Sequence, residues 1–215
     1  MSTAVITGAS GFIGSALTNH LLSLGWAVTA VVRRAQSLSN LNHPKLKVVE
    51  LDFERYRELS RLLGPHDYFF HLAWQDMASV GAVIPEIQLA NVSAALRALR
   101  AASESGCGKF ILTGSVSELQ VVAPPLPEVP QPSVKSAYGT CKLTARLLSS
   151  ALASQLGMPL NTAILANTFG PGDLSTRSSN TLIRAFIHHE SPRLVKGEAL
   201  NDWLYMWAFN SFCYK

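Results

Sequence analysis

Three cysteines in 215 residues are too few for a disulfide scaffold. Cys107, Cys141 and Cys213 also stand at no metal-ligand spacing, so they read as free thiols. Long apolar runs are missing too, and none approaches the roughly 20 residues that cross a bilayer. The N-terminus lacks the basic region and extended apolar segment of a secretory signal, which leads us to expect a chain that stays in a reducing cytoplasm. Charged side chains make up only 15% of the residues, and the net charge of +4 comes from scattered basic residues. With no aromatics interleaved among them, they speak against a nucleic-acid surface. There is no internal repeat. What is present is a 48% hydrophobic chain long enough for one α/β domain plus an extension.

A few residues in, the apolar stretch Ala4-Val5-Ile6 has the character of a buried parallel strand, and Thr7-Gly8-Ala9-Ser10-Gly11-Phe12-Ile13-Gly14 follows it at once. This is the pattern of a dinucleotide-binding turn. One glycine makes the tight strand-to-helix turn, a second lets backbone approach a pyrophosphate, and a third lets helix and sheet pack closely. The phosphate then sits on the N–H groups of a helix N-terminus. A helix over Ser15 to Leu24, ending at Gly25, and a second strand over Ala27 to Val32 complete a strand-helix-strand unit. Arg33 and Arg34 come next. An acid here would hold a ribose 2′-hydroxyl, whereas arginine suits a 2′-phosphate, so NADP is favoured over NAD. The competing reading is a solvated basic pair at a strand end.

Further strand signals fall at Lys47–Leu51, Tyr68–Leu72, Phe110–Thr113 and Thr162–Leu165, with helical stretches at Ile87–Ser105 and Ser136–Leu156, the latter closed by Gly157 and Pro159. The alternation predicts a Rossmann-like α/β fold, a doubly wound parallel sheet with helices on both faces. Val121 to Ser133 carries five prolines and reads as a stiff loop. Beyond it, Tyr138-Gly139-Thr140-Cys141-Lys142 places a phenol and an ammonium at i and i+4 on one helix face. A tyrosine with a pKa of about 10 exchanges protons poorly at neutral pH, and a neighbouring cation lowers that value. The pair by itself also fits an ordinary amphipathic helix.

Taken together, T-G-A-S-G-F-I-G at the start and Y-G-T-C-K in the middle resemble the extended short-chain dehydrogenases/reductases, the NAD(P)-dependent sugar-nucleotide epimerases, dehydratases and reductases. The resemblance covers nearly the whole chain and implies roles for further residues. Asp52, with Phe53 beside it, resembles the adenine-contacting acid after the third strand. His71-Leu72-Ala73 resembles the fourth-strand end along the cofactor, and Asn91 the asparagine that begins the next helix. Asn167-Thr168-Phe169-Gly170-Pro171-Gly172 resembles the segment where substrate meets nicotinamide. The cofactor set implied is Gly8, Ser10, Gly11, Phe12, Ile13, Gly14, Arg33, Arg34, Asp52, Phe53, His71, Leu72, Ala73, Thr113, Tyr138, Lys142 and Leu165. Ser115 occupies the place of the family's catalytic serine or threonine, with Ser117 as the fallback. Ser115 and Asn167 would meet substrate.

The mechanism implied is hydride transfer between nicotinamide and a sugar carbon. Tyr138 passes the proton, Ser115 orients the oxygen, and Lys142 holds the ribose and lowers the tyrosine pKa. The family's dehydratases resemble one another in an Asp-Glu pair after the catalytic threonine; Val116 and Ser117 stand there, which disfavours dehydration. Reductases that also epimerise two carbons carry a cysteine and a histidine where this chain has Ser117 and, nearby, Asn180. His188 and His189, on a predicted helix from Asn180 to His189, read as surface groups. A keto-sugar-nucleotide reductase or a 4-epimerase remains, and Arg33 tips the reading toward the reductase.

The resemblance also implies a homodimer through helices 87–105 and 136–156, and two regions: a nucleotide-binding domain over 1–168 and a partial substrate segment over 169–215. Arg184, His188, His189, Arg193 and Lys196 could face a substrate diphosphate or simply solvent. Family members run longer, and the aromatic tail from Met206 to Lys215 does not continue the pattern, so a truncated substrate lobe with exposed apolar surface is expected. The competing function is therefore a non-catalytic nucleotide-binding or interaction protein.

Overall fold

The computed structural model describes residues 1–38, 41–76, 80–119, 121, 136–175, 178–192, 194, 196 and 202–206. Of the sequence expectations, the proline-rich loop beyond Val121, Arg193, Cys213 and the aromatic tail after Met206 lie outside them. The chain divides into two compact units, Met1–Ile164 and Leu165–Lys215.

The first unit opens with β1 (Thr3–Thr7), α1 (Phe12–Ser23) and β2 (Ala27–Val32), the predicted strand-helix-strand unit. β3 (Leu46–Glu50), the short α2 (Leu59–Leu62) and β4 (Tyr68–His71) follow. Then come α3 (Pro85–Glu104), β5 (Lys109–Ser115), α4 (Ala137–Leu156) and β6 (Leu160–Leu165). The strands form one sheet in the order β3-β2-β1-β4-β5-β6. β1 pairs in parallel with β2 on one side, Thr3 opposite Ala27, and with β4 on the other, Ala4 opposite Tyr68. The chain therefore winds outward from β1 in one direction and then, from β4, in the other. The crevice at that reversal, beyond the C-terminal ends of β1 and β4, is where open α/β sheets take their ligands.

Local chemistry accounts for the elements. Ala4, Val5, Ile6, Phe69, Phe70 and Phe110 have no exposed surface, as strands covered on both faces require. Pro85 stands at the first turn of α3, where its missing N–H costs nothing. Ser136 Oγ accepts from Gly139 N at 3.1 Å to cap α4, and Gly157 closes that helix in the left-handed conformation at φ +64°. α1 starts three residues earlier than the sequence suggested, because Gly11 serves as its N-cap and the helix absorbs Gly14.

The second unit holds a two-stranded parallel sheet, β7 (Asn167–Phe169) on β8 (Trp203–Tyr205), and α5 (Ser178–Ile187). Phe169 packs against Trp203 and Tyr205 within it. The sequence did not announce this sheet.

Candidate functional site

Gly8 leaves β1 at φ +71°, and a Cβ there would lie 2.7 Å from Ala73 N. The turn after β1 thus runs directly against the backbone after β4, and only glycine permits it. A Cβ on Gly14 would stand 2.1 Å from Gly8 O, so that glycine seats α1 on the same turn. Gly11 differs: its Cβ would meet only Gly8 O, at 3.3 Å, and would otherwise project to the exposed side. α1 has no side-chain cap and no acid in its first turn, which leaves the N–H groups of Phe12, Ile13 and Gly14 without an intrahelical acceptor. The arrangement fits a pyrophosphate laid on Gly11 and the helix N-terminus.

A cleft extends from this turn along the C-terminal ends of β1, β2 and β4. Gly8, Ser10, Gly11, Arg33 and Phe53 line one side, and Leu72, Ala73, Trp74, Gln75 and Asn91 the other. Beside it lies a second hollow lined by Ser10, Arg33, Arg34, Ser37 and Asp52. Two guanidiniums and two hydroxyls share this hollow with the Asp52 carboxylate. Asp52 caps the 3-10 turn that follows it, its Oδ1 accepting from Glu54 N at 3.4 Å.

Two residues of the expected cofactor set point inward instead. His71 is 1% exposed, its Nδ1 2.8 Å from Thr7 Oγ1 and its ring stacked on Phe110, with Nε2 unpaired. Burial, aided by the Lys142 charge, drives its pKa down to about 3, so the imidazole is neutral. Thr113 donates through Oγ1 to His71 O at 3.0 Å. The neighbours of His71, Leu72 and Ala73, do line the cleft.

At the end of β5, Ser115 begins a 3-10 turn whose capping is reciprocal. Ser115 Oγ accepts from Ser117 N at 3.2 Å, and Glu118 Oε1 accepts from Ser115 N at 2.8 Å. Glu118 is fully buried, and its other oxygen accepts from Arg146 Nε of α4 at 2.6 Å. Gly114 makes room for that carboxylate: a Cβ there would lie 2.6 Å from Glu118 Oε1. Gly139 likewise lets α4 close on the turn, since its Cβ would stand 2.6 Å from Ser117 O. Two glycines and the ion pair of buried Glu118 with half-buried Arg146 thus hold the Ser115 turn to the helix that carries Tyr138 and Lys142.

Lys142 crosses beneath this turn. Its Nζ donates to Thr113 O at 3.0 Å and lies 3.9 Å from the centre of the Trp74 ring and 6.0 Å from that of Tyr138. Only 5% exposed, it is brought down to a pKa of about 7 by burial, against the pull of Glu118. Lys142 is therefore not the fully charged group the sequence suggested. Tyr138 is half-buried, edge-on to Trp74 at 6.0 Å. Asn91 holds the loop after β4: its Oδ1 accepts from Gln75 N at 2.7 Å and its Nδ2 donates to Gln75 O at 3.1 Å.

Ser115, Tyr138 and Lys142 thus gather at one end of the first unit with the glycine turn. Leu165 and Asn167 fall in the second unit, where Asn167 N donates to Asp202 O at 3.2 Å. Trp74, Gln88, Glu118 and Arg146 were not among the expected site residues. Among the described residues, no His/Cys/Asp/Glu group could hold a metal, and no helix is long and apolar enough to cross a membrane. Cys107 and Cys141 are free thiols.

A model of the NAD dependent epimerase/dehydratase family matches residues 4–207. A curated relative from Synechocystis sp., named as a dihydroflavonol 4-reductase, is 24% identical over 200 residues, covering 88% of this chain. The chain spans only 56% of that relative's length. Among solved structures, a UDP-N-acetylglucosamine 4-epimerase from Methanobrevibacter ruminantium superposes with a TM-score of 0.82 at 25% identity, covering 98% of this chain and 71% of that one. A UDP-glucuronic acid 4-epimerase variant from Bacillus cereus, in complex with NAD and a UDP-sugar, gives 0.80 at 20% identity over 97% of this chain and 70% of that one.

Proposed function

This chain belongs to the NAD dependent epimerase/dehydratase family, and from that premise we propose that it is a keto-sugar-nucleotide reductase or 4-epimerase acting through Ser115, Tyr138 and Lys142. The glycine turn and α1 hold the pyrophosphate, Phe53, Leu72 and Ala73 flank the adenosine, and Arg33 and Arg34 take a 2′-phosphate, so that NADP is preferred over NAD. The bound dinucleotide supplies the hydride acceptor or donor. The protein's part is proton chemistry at one sugar oxygen. Ser115 Oγ, already accepting from Ser117 N, keeps its own O–H to donate to that oxygen. Tyr138 Oη gives or takes the proton, and the charged form of Lys142 favours the phenolate.

The observation that carries this reading is the juxtaposition, within one unit, of an uncapped helix N-terminus behind Gly8, Gly11 and Gly14 with the Ser115 turn and Lys142. The solved relatives named above bind UDP-sugars, which supports a nucleotide-sugar substrate here. The same family frame supports a cytoplasmic homodimer built on α3 and α4, where Leu89, Leu147 and Leu148 are exposed. Sedimentation of the purified chain tests the dimer.

Calorimetric titration with NADPH and NADH, repeated on Arg33→Asp, tests the cofactor site. Tight NADPH binding that the variant shifts toward NADH supports it, and no binding of either sinks it. A second reading, nucleotide binding without turnover, is favoured by the covering of Lys142 by Trp74. Tyr138→Phe separates the two: loss of turnover with binding intact supports catalysis, and an unchanged phenotype supports the binding role.

A further inference from the structure

Trp74 stands where the nucleotide cleft ends and the Ser115, Tyr138 and Lys142 cluster begins. Its indole lines the cleft on one side. On the other it lies over Lys142 Nζ at 3.9 Å and meets Tyr138 edge-on at 6.0 Å. With Lys142 only 5% exposed and Nζ already donating to Thr113 O, the indole separates the ammonium from anything lying in the cleft. A ring face is a fair substitute for solvent around a cation, so this closed arrangement is satisfied as it stands.

The indole is held from behind. Its Nε1–H donates to Gln88 Oε1 at 2.8 Å, and Gln88, fully buried on α3, donates through Nε2 to Gly81 O at 2.9 Å and Asp76 O at 3.2 Å. Asn91, one turn further along α3, binds the backbone of Gln75 on both sides. Trp74 thus lies in the loop after β4, which two buried amides clasp to α3, and its position does not depend on rotamer preference alone.

Resting on the dinucleotide reading of the cleft given above, we propose that Trp74 is a specificity-determining residue that divides the site in two. The adenosine half, at the glycine turn and Arg33, is open. The half next to Lys142 is closed by the indole, and a nicotinamide riboside reaches Lys142 only by displacing it. A ligand confined to the adenosine half binds without that displacement. Trp74 thereby sets the ratio of dinucleotide to mononucleotide affinity.

Titration calorimetry of the whole chain with NADP⁺ and with 2′,5′-ADP measures that ratio. Trp74→Ala is expected to tighten NADP⁺ by about tenfold, equivalent to about 1.4 kcal/mol, while leaving 2′,5′-ADP within about twofold. Trp74→Phe, which keeps a ring over Nζ, is expected to stay near the wild type. In the wild type itself, NADP⁺ should change tryptophan emission relative to the Trp74→Phe background, and 2′,5′-ADP should not; this readout stands even if the alanine variant folds poorly. Weaker NADP⁺ binding by Trp74→Ala would make the indole a stacking platform and overturn the division, as would an unchanged ratio or an equal emission change with both ligands. If neither ligand binds any of the proteins, the dinucleotide reading falls with it.

Discussion

Replacing Lys142 with methionine should make the unliganded protein more stable at neutral pH while abolishing proton transfer. The side chains are similar in length, and the change removes a buried ammonium whose pKa is depressed from 10.5 to about 7. Because the native pKa lies below the unfolded one, the unfolded chain binds more protons between these values, and wild-type stability rises with pH across that window. Below pH 7 the burial cost is at its full size, about 5 kcal/mol. Against this, the variant loses the hydrogen bond to Thr113 O and leaves that carbonyl unpaired, roughly 1–3 kcal/mol. The net gain at pH 6 to 7 is then about 2–4 kcal/mol, or roughly 4–16 °C in Tm for a domain of this size. By pH 10 the titration difference has shrunk to about 1 kcal/mol, and the order of stability should invert. Urea unfolding of both proteins from pH 6 to pH 10 reads this directly. A variant less stable than wild type at pH 6, or a stability gap that does not move with pH, would refute the reasoning.

His71 gives the acid counterpart. Its native pKa of about 3 lies below the unfolded value near 6.5, so wild-type stability should fall by up to roughly 4–5 kcal/mol as pH drops through that interval, and His71→Leu should flatten the urea-midpoint profile there. Glu118→Gln breaks an ion pair whose arginine is partly exposed and should cost about 1–3 kcal/mol; if adding Arg146→Met recovers none of it in a double-mutant cycle, the pairing is not what holds the Ser115 turn. Gly14→Ala should destabilise by about 1–3 kcal/mol through overpacking against Gly8 O, measured by thermal melting. Gly11→Ala, by contrast, should leave the melting curve nearly unchanged and weaken NADPH binding about tenfold; equal Tm losses in the two variants would contradict the separate roles assigned to these glycines.

The glycine turn, the alternation of strands and helices and the tyrosine-lysine pair were legible because each is a local pattern: a motif next to an apolar run, a period, an i and i+4 spacing. Strand order was not legible, because alternation implies a parallel sheet without saying which strands are neighbours. Glu118 was legible in principle, since Ser115-Val116-Ser117-Glu118 has the spacing of a capping box, but its partner Arg146 lies 28 residues on and no spacing rule joins them. Trp74 carried no signal at all: an aromatic after a strand is ordinary, and its place over Lys142 exists only once β4 and α4 are packed. The inward turn of His71 follows from its last-residue position in a strand buried on both faces. β7 and β8, three residues each, are too short for a period to declare itself.

The three glycines of the first turn answer to different constraints. Gly8 and Gly14 are fixed by the protein's own backbone, at Ala73 and at Gly8 O. Gly11 faces outward, with Gly8 O at 3.3 Å its one near neighbour, and the rest of the space it leaves is open. A lineage that ceased to bind nucleotide while still needing this sheet and helix would go on keeping Gly8 and Gly14, and would be free to lose Gly11. That position alone, followed through a set of descendants, would record when the ligand was given up.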